Sequence, residues 1–279
     1  MIPEVKLSNG IMMPVIGYGS YLATEGKGKQ SIIDAVNIGY TSIDTAAFYK
    51  NEHEIGEALE SLDVNRRDLF ITSKVWPTDL GYENSIKSFK ESISKLKTDY
   101  LDLLLIHWPK KSQKDIIWKE KIIDTWKAFE ELYDEGKVRA IGLSNFLPHH
   151  IKPILEVCRH KPMVDQLELH VGYMQEYALG FLKQNDIVPV AWSPLGRGKV
   201  IEDDMIVGFA EKYNKTPAQI LLKYLLQRGI VVIPKSSSIE RMKENKDLFD
   251  FEISEEDISY MSCVPQMGFS TEHPDKVEL

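Results

Sequence analysis

The sequence contains few cysteines, no long hydrophobic run and no excess of positive charge. Its 279 residues include only two cysteines, Cys158 and Cys263. Two distant cysteines cannot form a disulfide framework, so we expect a reducing, cytoplasmic location. No apolar stretch approaches the roughly 20 residues that span a bilayer, and the first ten residues lack the apolar core of a signal peptide. The net charge of −8 argues against nonspecific binding to nucleic acid or anionic membranes.

Low-complexity segments and linkers rich in Pro, Gly or Ser are also missing. What recurs instead is a short apolar segment, a turn and an amphipathic helical pattern. Several apolar segments are nearly continuous, as strands buried on both faces of a parallel sheet are. The predicted strands cover residues 15–19, 42–45, 69–74, 101–107, 138–144, 163–168, 188–193 and 230–234. The predicted helices cover residues 30–38, 52–62, 83–96, 122–135, 151–157, 176–185 and 217–227.

Eight such units over this length predict an α/β fold, a (β/α)8 TIM barrel, with residues 1–279 as one domain. The alternative is a doubly wound open sheet, which usually carries Gly-x-Gly-x-x-Gly after its first strand. Gly17-Tyr18-Gly19 lacks the third glycine of that pattern. Ahead of the first barrel strand, Asn9-Gly10 lies between two strand-like runs and predicts a short β-hairpin, which would cover the bottom of the barrel.

Polar side chains stand at the ends of the predicted strands, where TIM barrels place their reactive groups. Asp44, Lys74 and His107 end strands two, three and four, and Tyr49 lies in the loop after strand two. Singly, each has an ordinary structural explanation, such as a helix cap or a bonded core side chain. Four such residues at the C-terminal rim of one barrel predict an active site. Further polar or aromatic residues end strands five to eight, namely Ser144, Asn145, Gln166, Trp192, Ser193, Lys235 and Ser236.

The chemistry that combines these four residues is proton donation to a carbonyl oxygen. A phenol titrates near pH 10, and a nearby ammonium is expected to lower the pKa of Tyr49. A carboxylate keeps the ammonium charged, and a histidine can hold the carbonyl or help relay the proton. Asp44, Lys74 and His107 supply those roles.

Almost end to end, the sequence resembles the aldo-keto reductase family, in particular its prokaryotic-type, NADPH-dependent members. The motifs follow in the family's order, and most stand at predicted strand ends, which makes the resemblance specific. They are MPVIGYG (13–19), DTAAFYKNE (44–52), ITSKVW (71–76), LLLIHWP (103–109), IGLSNF (141–146), SPLG (193–196), IPKS (233–236) and RMKEN (241–245).

The resemblance implies a carbonyl reductase in which Tyr49 donates the proton, Asp44 and Lys74 tune it, and His107 orients the carbonyl. It also implies which residues bind the cofactor. Ser144, Asn145 and Gln166 match positions that hold the nicotinamide carboxamide, Trp192 matches the aromatic that stacks on the ring, and Ser193 and Leu195 match the loop across the pyrophosphate. The adenosine and 2′-phosphate pocket corresponds to Lys235, Ser236, Ser238, Arg241, Glu244 and Asn245.

The cofactor prediction also has support from the residues themselves. Lys235, Arg241 and three serines gather two cations and three hydroxyls beside a short helix, which suits a dianionic phosphate and favours NADPH over NADH. Around the proposed donor, an aromatic substrate pocket is predicted from Tyr21, Phe48, Trp76 and Trp108.

Some positions depart from the family's pattern. Asp165 stands where Asn is common, and Tyr21 replaces a frequent Trp. No metal is expected, because His149, His150 and His160 lack acidic or cysteine partners at motif spacing. The partner is expected to be a small carbonyl compound (a dicarbonyl, sugar or lipid-type carbonyl), and the chain a monomer. Two other functions stay open: a Schiff-base aldolase with Lys74 as nucleophile, and an NADPH-binding sensor with negligible turnover.

Overall fold

Parallel strands and surrounding helices form the architecture of this computed structural model, which describes residues 2–22 and 28–279. An N-terminal hairpin comprises β1 (Glu4–Lys6) and β2 (Met12–Pro14). The eight barrel strands pair in chain order: β3 (Tyr18–Gly19), β4 (Ser42–Asp44), β5 (Phe70–Val75), β6 (Leu103–Ile106), β7 (Ile141–Ser144), β8 (Val164–Glu168), β9 (Val188–Trp192) and β10 (Val231–Val232).

Helices follow the strands along the chain. They are α1 (Gly28–Ile38), α2 (Glu52–Ser61), α3 (Tyr82–Leu96), α4 (Trp118–Asp134), α5 (Pro148–Leu155), α6 (Glu176–Gln184), α7 (Asp204–Tyr213), α8 (Pro217–Gln227), α9 (Ile239–Lys246) and α10 (Glu255–Ser262). Within the described residues, none of these helices has both the length and the apolarity needed to cross a bilayer.

The predicted (β/α)8 barrel is confirmed, with each strand inside its predicted segment or extending one residue beyond it. The seven predicted helices are present, and α9 is the short helix expected beside the strand-eight residues. Helices α7 and α10 were not predicted, although each begins with a recognisable cap. The side chains of Asp203 and Ser254 accept hydrogen bonds from the first turns of these two helices.

Hydrogen bonds between the first and last strand regions complete the barrel. The Gly17 N–H donates to Val232 O over 2.9 Å, and the Gly19 N–H donates to Pro234 O over 3.1 Å. A Cβ atom at Gly19 would come within 2.8 Å of Ile233 O. Glycine is therefore needed for this close approach of two backbones, and the Gly-Tyr-Gly sequence serves barrel closure.

The hairpin has the predicted Asn-Gly turn, with Gly10 at φ 89°. The Asn9 amide donates to Arg139 O over 2.9 Å, just before β7 begins. The hairpin therefore lies at the N-terminal end of the barrel, away from the strand ends that carry the polar residues.

A buried carboxylate, Asp102, interrupts the apolar run before β6 and is fully paired. Its two oxygens accept from Arg66 Nη1 at 2.8 Å and Arg139 Nη1 at 2.7 Å, and the Ile71 N–H adds a bond of 2.9 Å. Two cations and one amide offset the cost of removing this charge from water. Asp102 thereby ties β5, β6 and the segment before β7 together at the bottom of the barrel.

Asp165 on β8 is also buried, but it is not paired. Its neighbour Gln166 points into the barrel, so Asp165 points outward to the helix layer. Within the part of the chain that the structure describes, neither carboxyl oxygen accepts a well-aligned hydrogen bond, although the Phe146 backbone N–H lies nearby. Burial raises the pKa of the Asp165 carboxyl well above its usual range, and the Phe146 backbone offsets only part of this rise.

We expect Asp165→Asn to stabilise the protein by about 1–3 kcal/mol near neutral pH. The unfolded chain ionises Asp165 at the ordinary carboxyl pKa, whereas the folded chain retains the proton to a higher pH. Wild-type stability is therefore lost as the pH rises through the folded pKa, and the gain from asparagine grows with pH over that window. Urea unfolding of both proteins across a pH series measures the difference.

Asp102→Asn is the matched control, because it makes the same carboxylate-to-amide change at a buried, paired site. It should destabilise the protein by about 2–4 kcal/mol, since it removes the counter-charge of two arginines. Equal effects of the two substitutions would contradict the distinction between paired and unpaired burial.

Candidate active site

The four predicted catalytic residues meet at the C-terminal rim of the barrel. Asp44 ends β4, Lys74 lies near the end of β5, and His107 directly follows β6. Tyr49 lies in a 3-10 turn, Ala47–Tyr49, after β4. The parallel register of β4, β5 and β6 sets their relative heights, so residues distant in sequence share one small volume.

The Lys74 ammonium is the centre of this group. It donates to Asp44 Oδ1 at 2.5 Å, to Thr45 O at 2.9 Å and to Tyr49 Oη at 3.4 Å. An ammonium has three N–H bonds, so these three acceptors saturate it. The other oxygen of Asp44 accepts from Gln166 Nε2 at 2.8 Å. Burial lowers the pKa of Lys74, and the Asp44 carboxylate opposes that change.

The hydroxyl of Tyr49 is held in its protonated form. Burial raises the pKa of Tyr49 well above its usual range, and the negative charges of Asp44 and Glu272 act in the same direction. The expectation that Lys74 brings the pKa of Tyr49 below its usual value is therefore wrong, because the net change is a rise. The reason is that loss of water around the phenol outweighs the attraction of the ammonium.

His107 is a neutral imidazole. Burial lowers its pKa well below the usual range, and the positive charge of Lys74 adds to this. Its Nδ1 atom is buried and has no hydrogen-bond partner in the described structure. An unpaired buried N–H costs more than an unpaired lone pair facing apolar atoms, so we assign the proton to Nε2. His107 is then a hydrogen-bond donor without charge.

Aromatic side chains surround these groups, as predicted. Phe48 and Trp76 stack at 3.8 Å between ring centroids, and both meet the His107 ring edge-on. Tyr21 packs against Tyr49 at 4.8 Å. Phe48 and Tyr21 are 44% and 45% exposed, so they form an open apolar rim, whereas Trp108 is buried. The site therefore offers apolar walls around one hydroxyl group and one neutral donor.

On the opposite side of the rim, Ser144, Asn145, Gln166 and Trp192 form a connected polar group. The Trp192 indole N–H donates to Asn145 Oδ1 at 2.8 Å, and Asn145 Nδ2 donates to His107 O at 3.0 Å. The Ser144 hydroxyl donates to Gln166 O at 3.0 Å. These bonds fix the orientation of the Asn145 amide next to the His107 backbone. Asn145 itself has a left-handed φ of 62°.

The strand-eight residues gather around the start of α9. The Ser238 side chain caps α9 by accepting from the Arg241 N–H, and Ser236 accepts from the Ser238 N–H at 3.1 Å. Lys235 and Arg241 are exposed beside this cap. Farther along α9, Glu244 accepts from the Thr216 hydroxyl and Asn245 is buried. Two exposed cations next to a helix N-terminus suit a phosphate.

The β9 loop, residues 193–199, follows Trp192 and contains Ser193 and Leu195. Ser193 and Arg197 have left-handed φ values of 48° and 53°. The Arg197 guanidinium lies 5.6 Å from the centre of the Trp192 ring. The loop thus folds back towards the aromatic residue that precedes it.

Sequence reasoning missed the C-terminal strap, residues 264–279, which crosses this rim. Glu168 accepts from the Ser270 N–H at 2.9 Å and from its hydroxyl at 2.6 Å. Arg197 forms an ion pair with Glu272 at 2.7 Å. A signal existed for Glu168, because it follows Gln166 by two residues on a strand and so shares its inward face. None existed for Glu272.

The strap ends in a cluster that sequence spacing did not reveal. Asp275 accepts from Lys110 at 2.6 Å and lies 3.0 Å from His150 Nε2 and 3.2 Å from His149 Nε2. His149, His150 and Asp275 therefore have the atom types of a metal site. However, the Leu147 N–H donates to His150 Nδ1, so Nε2 carries the proton and donates to Asp275. The cluster acts as an anchor for the strap.

The third histidine also has an acidic partner that motif spacing did not indicate. His160 Nε2 lies 2.8 Å from Asp134 Oδ1 across 26 residues. Arg159 bonds the same carboxylate, so this is an exposed ion-pair network on the outer face of α4. All three histidines therefore have an acidic neighbour in three dimensions, although each of these partners lies far outside metal-motif spacing in the sequence.

Comparison with known proteins agrees with this geometry. Residues 15–264 match the model of the Aldo/keto reductase family. A glyoxal reductase of Bacillus subtilis is 43% identical over 98% of this chain and 96% of its own length. A 9,11-endoperoxide prostaglandin H2 reductase of Trypanosoma cruzi is 41% identical over 91% of this chain and 88% of its own.

Solved structures of similar proteins share the fold throughout. An aldo/keto reductase from Brucella melitensis has a TM-score of 0.88 and 39% identity, covering 94% of this chain and 99% of its own. A silkworm aldo-keto reductase in complex with NADPH has a TM-score of 0.90 and 34% identity, covering 98% of this chain and 90% of its own.

The buried pair of Asp44 and Lys74 should be strongly coupled in stability. Asp44→Asn leaves the ammonium without its counter-charge, and Lys74→Met leaves the carboxylate with only Gln166. We expect each to cost about 3–5 kcal/mol, and the double variant to cost less than their sum by about 2–3 kcal/mol. Urea unfolding of the four proteins measures this coupling.

The exposed pair of Lys97 and Glu60 provides the comparison, with atoms also 2.5 Å apart. Its coupling should stay below about 1 kcal/mol, because water screens it. If the losses in unfolding free energy caused by Asp44→Asn and Lys74→Met simply add in the double variant, the short contact does not couple the two charges.

Proposed function

Because this chain belongs to the aldo/keto reductase family, we propose that it is an NADPH-dependent oxidoreductase that reduces aldehydes and ketones to alcohols. The observation that carries the proposal is the chain of contacts from Asp44 through Lys74 to the Tyr49 hydroxyl, facing the neutral His107. This arrangement offers a proton to an oxygen atom in an apolar pocket. A carbonyl oxygen that gains a hydride on its carbon needs that proton.

The described residues fit NADPH. Asn145 and Gln166 offer amide donors and acceptors for the nicotinamide carboxamide, beside the face of Trp192. Lys235 and Arg241, next to the Ser238 cap, offer the charges that a 2′-phosphate requires. Ser144 would also contact the carboxamide, and Ser193 and Leu195 would contact the pyrophosphate. The adenosine would be bound by Ser236, Glu244 and Asn245. When bound, NADPH supplies the hydride from nicotinamide C4.

We assign the proton transfer to Tyr49 and the orientation of the carbonyl to His107. Nε2–H of His107 donates a hydrogen bond to the carbonyl oxygen, and the Tyr49 hydroxyl gives its proton to that oxygen. Lys74, paired with Asp44, then stabilises the phenolate that Tyr49 becomes until solvent protonates it. The Tyr49 hydroxyl is protonated near neutrality, as the proton donor in a reduction must be. The reverse oxidation needs the phenolate, and because burial raises the pKa of Tyr49, oxidation should gain only at high pH.

The geometry weighs against a Schiff-base aldolase. A nucleophilic lysine needs a free lone pair, whereas all three N–H bonds of Lys74 are engaged. An NADPH sensor would share the cofactor contacts but would not need the Asp44, Lys74 and Tyr49 arrangement. Measured turnover of an aldehyde with NADPH distinguishes the reductase from the sensor.

Substrate class follows from the pocket and from the relatives. Tyr21, Phe48 and Trp76 give apolar walls, and Tyr21 and Phe48 are partly exposed at the rim, whereas Trp108 is buried. The Bacillus subtilis relative is a glyoxal reductase. We propose small dicarbonyls as the preferred class, with sugar and lipid-type carbonyls as the alternatives in a kcat/KM panel.

We further propose that residues 1–279 act as one barrel domain and as a cytoplasmic monomer. The unpaired Cys158 and Cys263 fit a reducing compartment. Light scattering coupled to size exclusion measures the monomer directly.

Tyr49→Phe should lower kcat for aldehyde reduction by at least about 100-fold, because it removes the acidic proton and keeps the ring. The Kd for NADPH should change less than about twofold, since the hydroxyl contacts Lys74 and the carbonyl. NADPH oxidation with glyoxal, methylglyoxal and an aromatic aldehyde measures the first quantity, and fluorescence titration the second.

Tyr177→Phe is the matched control, because this tyrosine is 78% exposed on α6. It should keep wild-type rates. Full activity of Tyr49→Phe would refute the donor assignment, and absence of turnover in the wild type with NADPH bound would favour the sensor.

A further inference from the structure

A line of contacts connects the C-terminal strap to the polar group at the proposed nicotinamide site. Glu272 on the strap pairs with Arg197 on the β9 loop at 2.7 Å. Arg197 lies 5.6 Å from the centre of the Trp192 ring, and Trp192 donates to Asn145. Each contact joins a different segment of the chain, so the line crosses the barrel mouth from its outer edge to its centre.

Glu272 is held in place from both sides. Two residues before it, Ser270 is bound to the buried Glu168, and the Glu272 N–H donates to the Ser270 hydroxyl. Three residues after it, Asp275 is held by Lys110 and His150. A carboxylate between two anchors so close in sequence has little freedom to leave its partner.

The backbone on both sides of the ion pair adopts unusual conformations. Thr271, next to Glu272, has a left-handed φ of 75°, which is costly for a β-branched residue. On the β9 loop, Gly196, Arg197 and Gly198 all have positive φ. Strained backbone of this kind persists only where surrounding contacts hold it. Both partners are therefore presented to each other by segments that the fold constrains.

We propose that Glu272 is a positioning residue for the cofactor: by holding Arg197 over Trp192, it fastens the β9 loop across bound NADPH and slows its release. The proposal rests on the proposed function, in which the β9 loop lies over the pyrophosphate. The sequence and family resemblance assign no role to Glu272. Arg197 and Glu272 have side chains 40% and 44% exposed, so the pair can open without unfolding the barrel.

The direction of the change in the NADPH dissociation rate distinguishes a positioning role of Glu272 from direct repulsion between Glu272 and NADPH. NADPH is polyanionic, so removing the negative charge of Glu272 should by itself hold the cofactor more tightly. If Glu272 fastens the loop, its removal should have the opposite effect and speed release. An increase in the dissociation rate therefore cannot come from lost repulsion.

The experiment measures NADPH dissociation from the full chain by stopped-flow fluorescence. Glu272→Gln should release NADPH about two- to fivefold faster than wild type, the effect expected for one partly exposed ion pair. KM for NADPH should rise for the same reason. At high salt the two proteins should converge, because salt screens the pair in wild type.

A double-variant cycle tests the route through Arg197. In an Arg197→Gln background, Glu272→Gln should have no further effect on release. Release that is unchanged or slower in Glu272→Gln would overturn the proposal, and so would an equal acceleration in both backgrounds. Glu272→Ala serves as a second variant, and thermal unfolding of each variant shows whether the fold is intact.

Glu60→Gln is the control, because it removes an ion pair with Lys97 that is similarly exposed but remote from the site. It should leave release unchanged. Failure of the proposed function has a different signature, since wild-type protein would then not bind NADPH or would not reduce any aldehyde.

Discussion

A buried ammonium sets the conditions that the rest of this site must meet. Lys74 is out of water, so its charge persists only if a carboxylate faces it and each N–H finds an acceptor. Asp44, the Thr45 carbonyl and the Tyr49 hydroxyl meet those needs in three directions. Because these acceptors lie between the last residue of β4 and Tyr49, the stretch that contains them must turn back over β5. The position of the Tyr49 hydroxyl follows from satisfying the lysine.

The barrel makes this arrangement possible by bringing the ends of successive strands to one level. The alternation of side chains along a strand then divides β8 between two tasks. Gln166 and Glu168 face inward, where one binds Asp44 and the other holds the strap. Asp165 faces outward, where it is buried and forms no well-aligned hydrogen bond within the described residues. One strand thus carries both a well-satisfied site and an unpaired buried carboxyl group, separated only by the direction of a side chain.

Much of the fold and rim could be predicted from the sequence, because periodicity marks strands and helices locally and parallel strands align their ends. The predicted residues Asp44, Tyr49, Lys74 and His107 do lie together. Contacts between distant segments leave no such mark: Arg197 and Glu272 are 75 residues apart, and His150 and Asp275 are 125 apart. The expected lowering of the Tyr49 pKa fails for a related reason, since the number of atoms that exclude water from a phenol depends on packing.

The contacts of the C-terminal strap differ in strength, and that difference has consequences for motion. The Glu168 and Ser270 bonds are charge-assisted and involve a buried carboxylate, so they resist opening. The Arg197 and Glu272 pair is exposed and screened, so it adds little to global stability. Local opening proceeds where buried contacts are fewest. We therefore expect the strap to stay docked when the β9 loop opens. Under the proposal for Glu272, this exposed pair then governs how long a molecule beneath the loop remains bound.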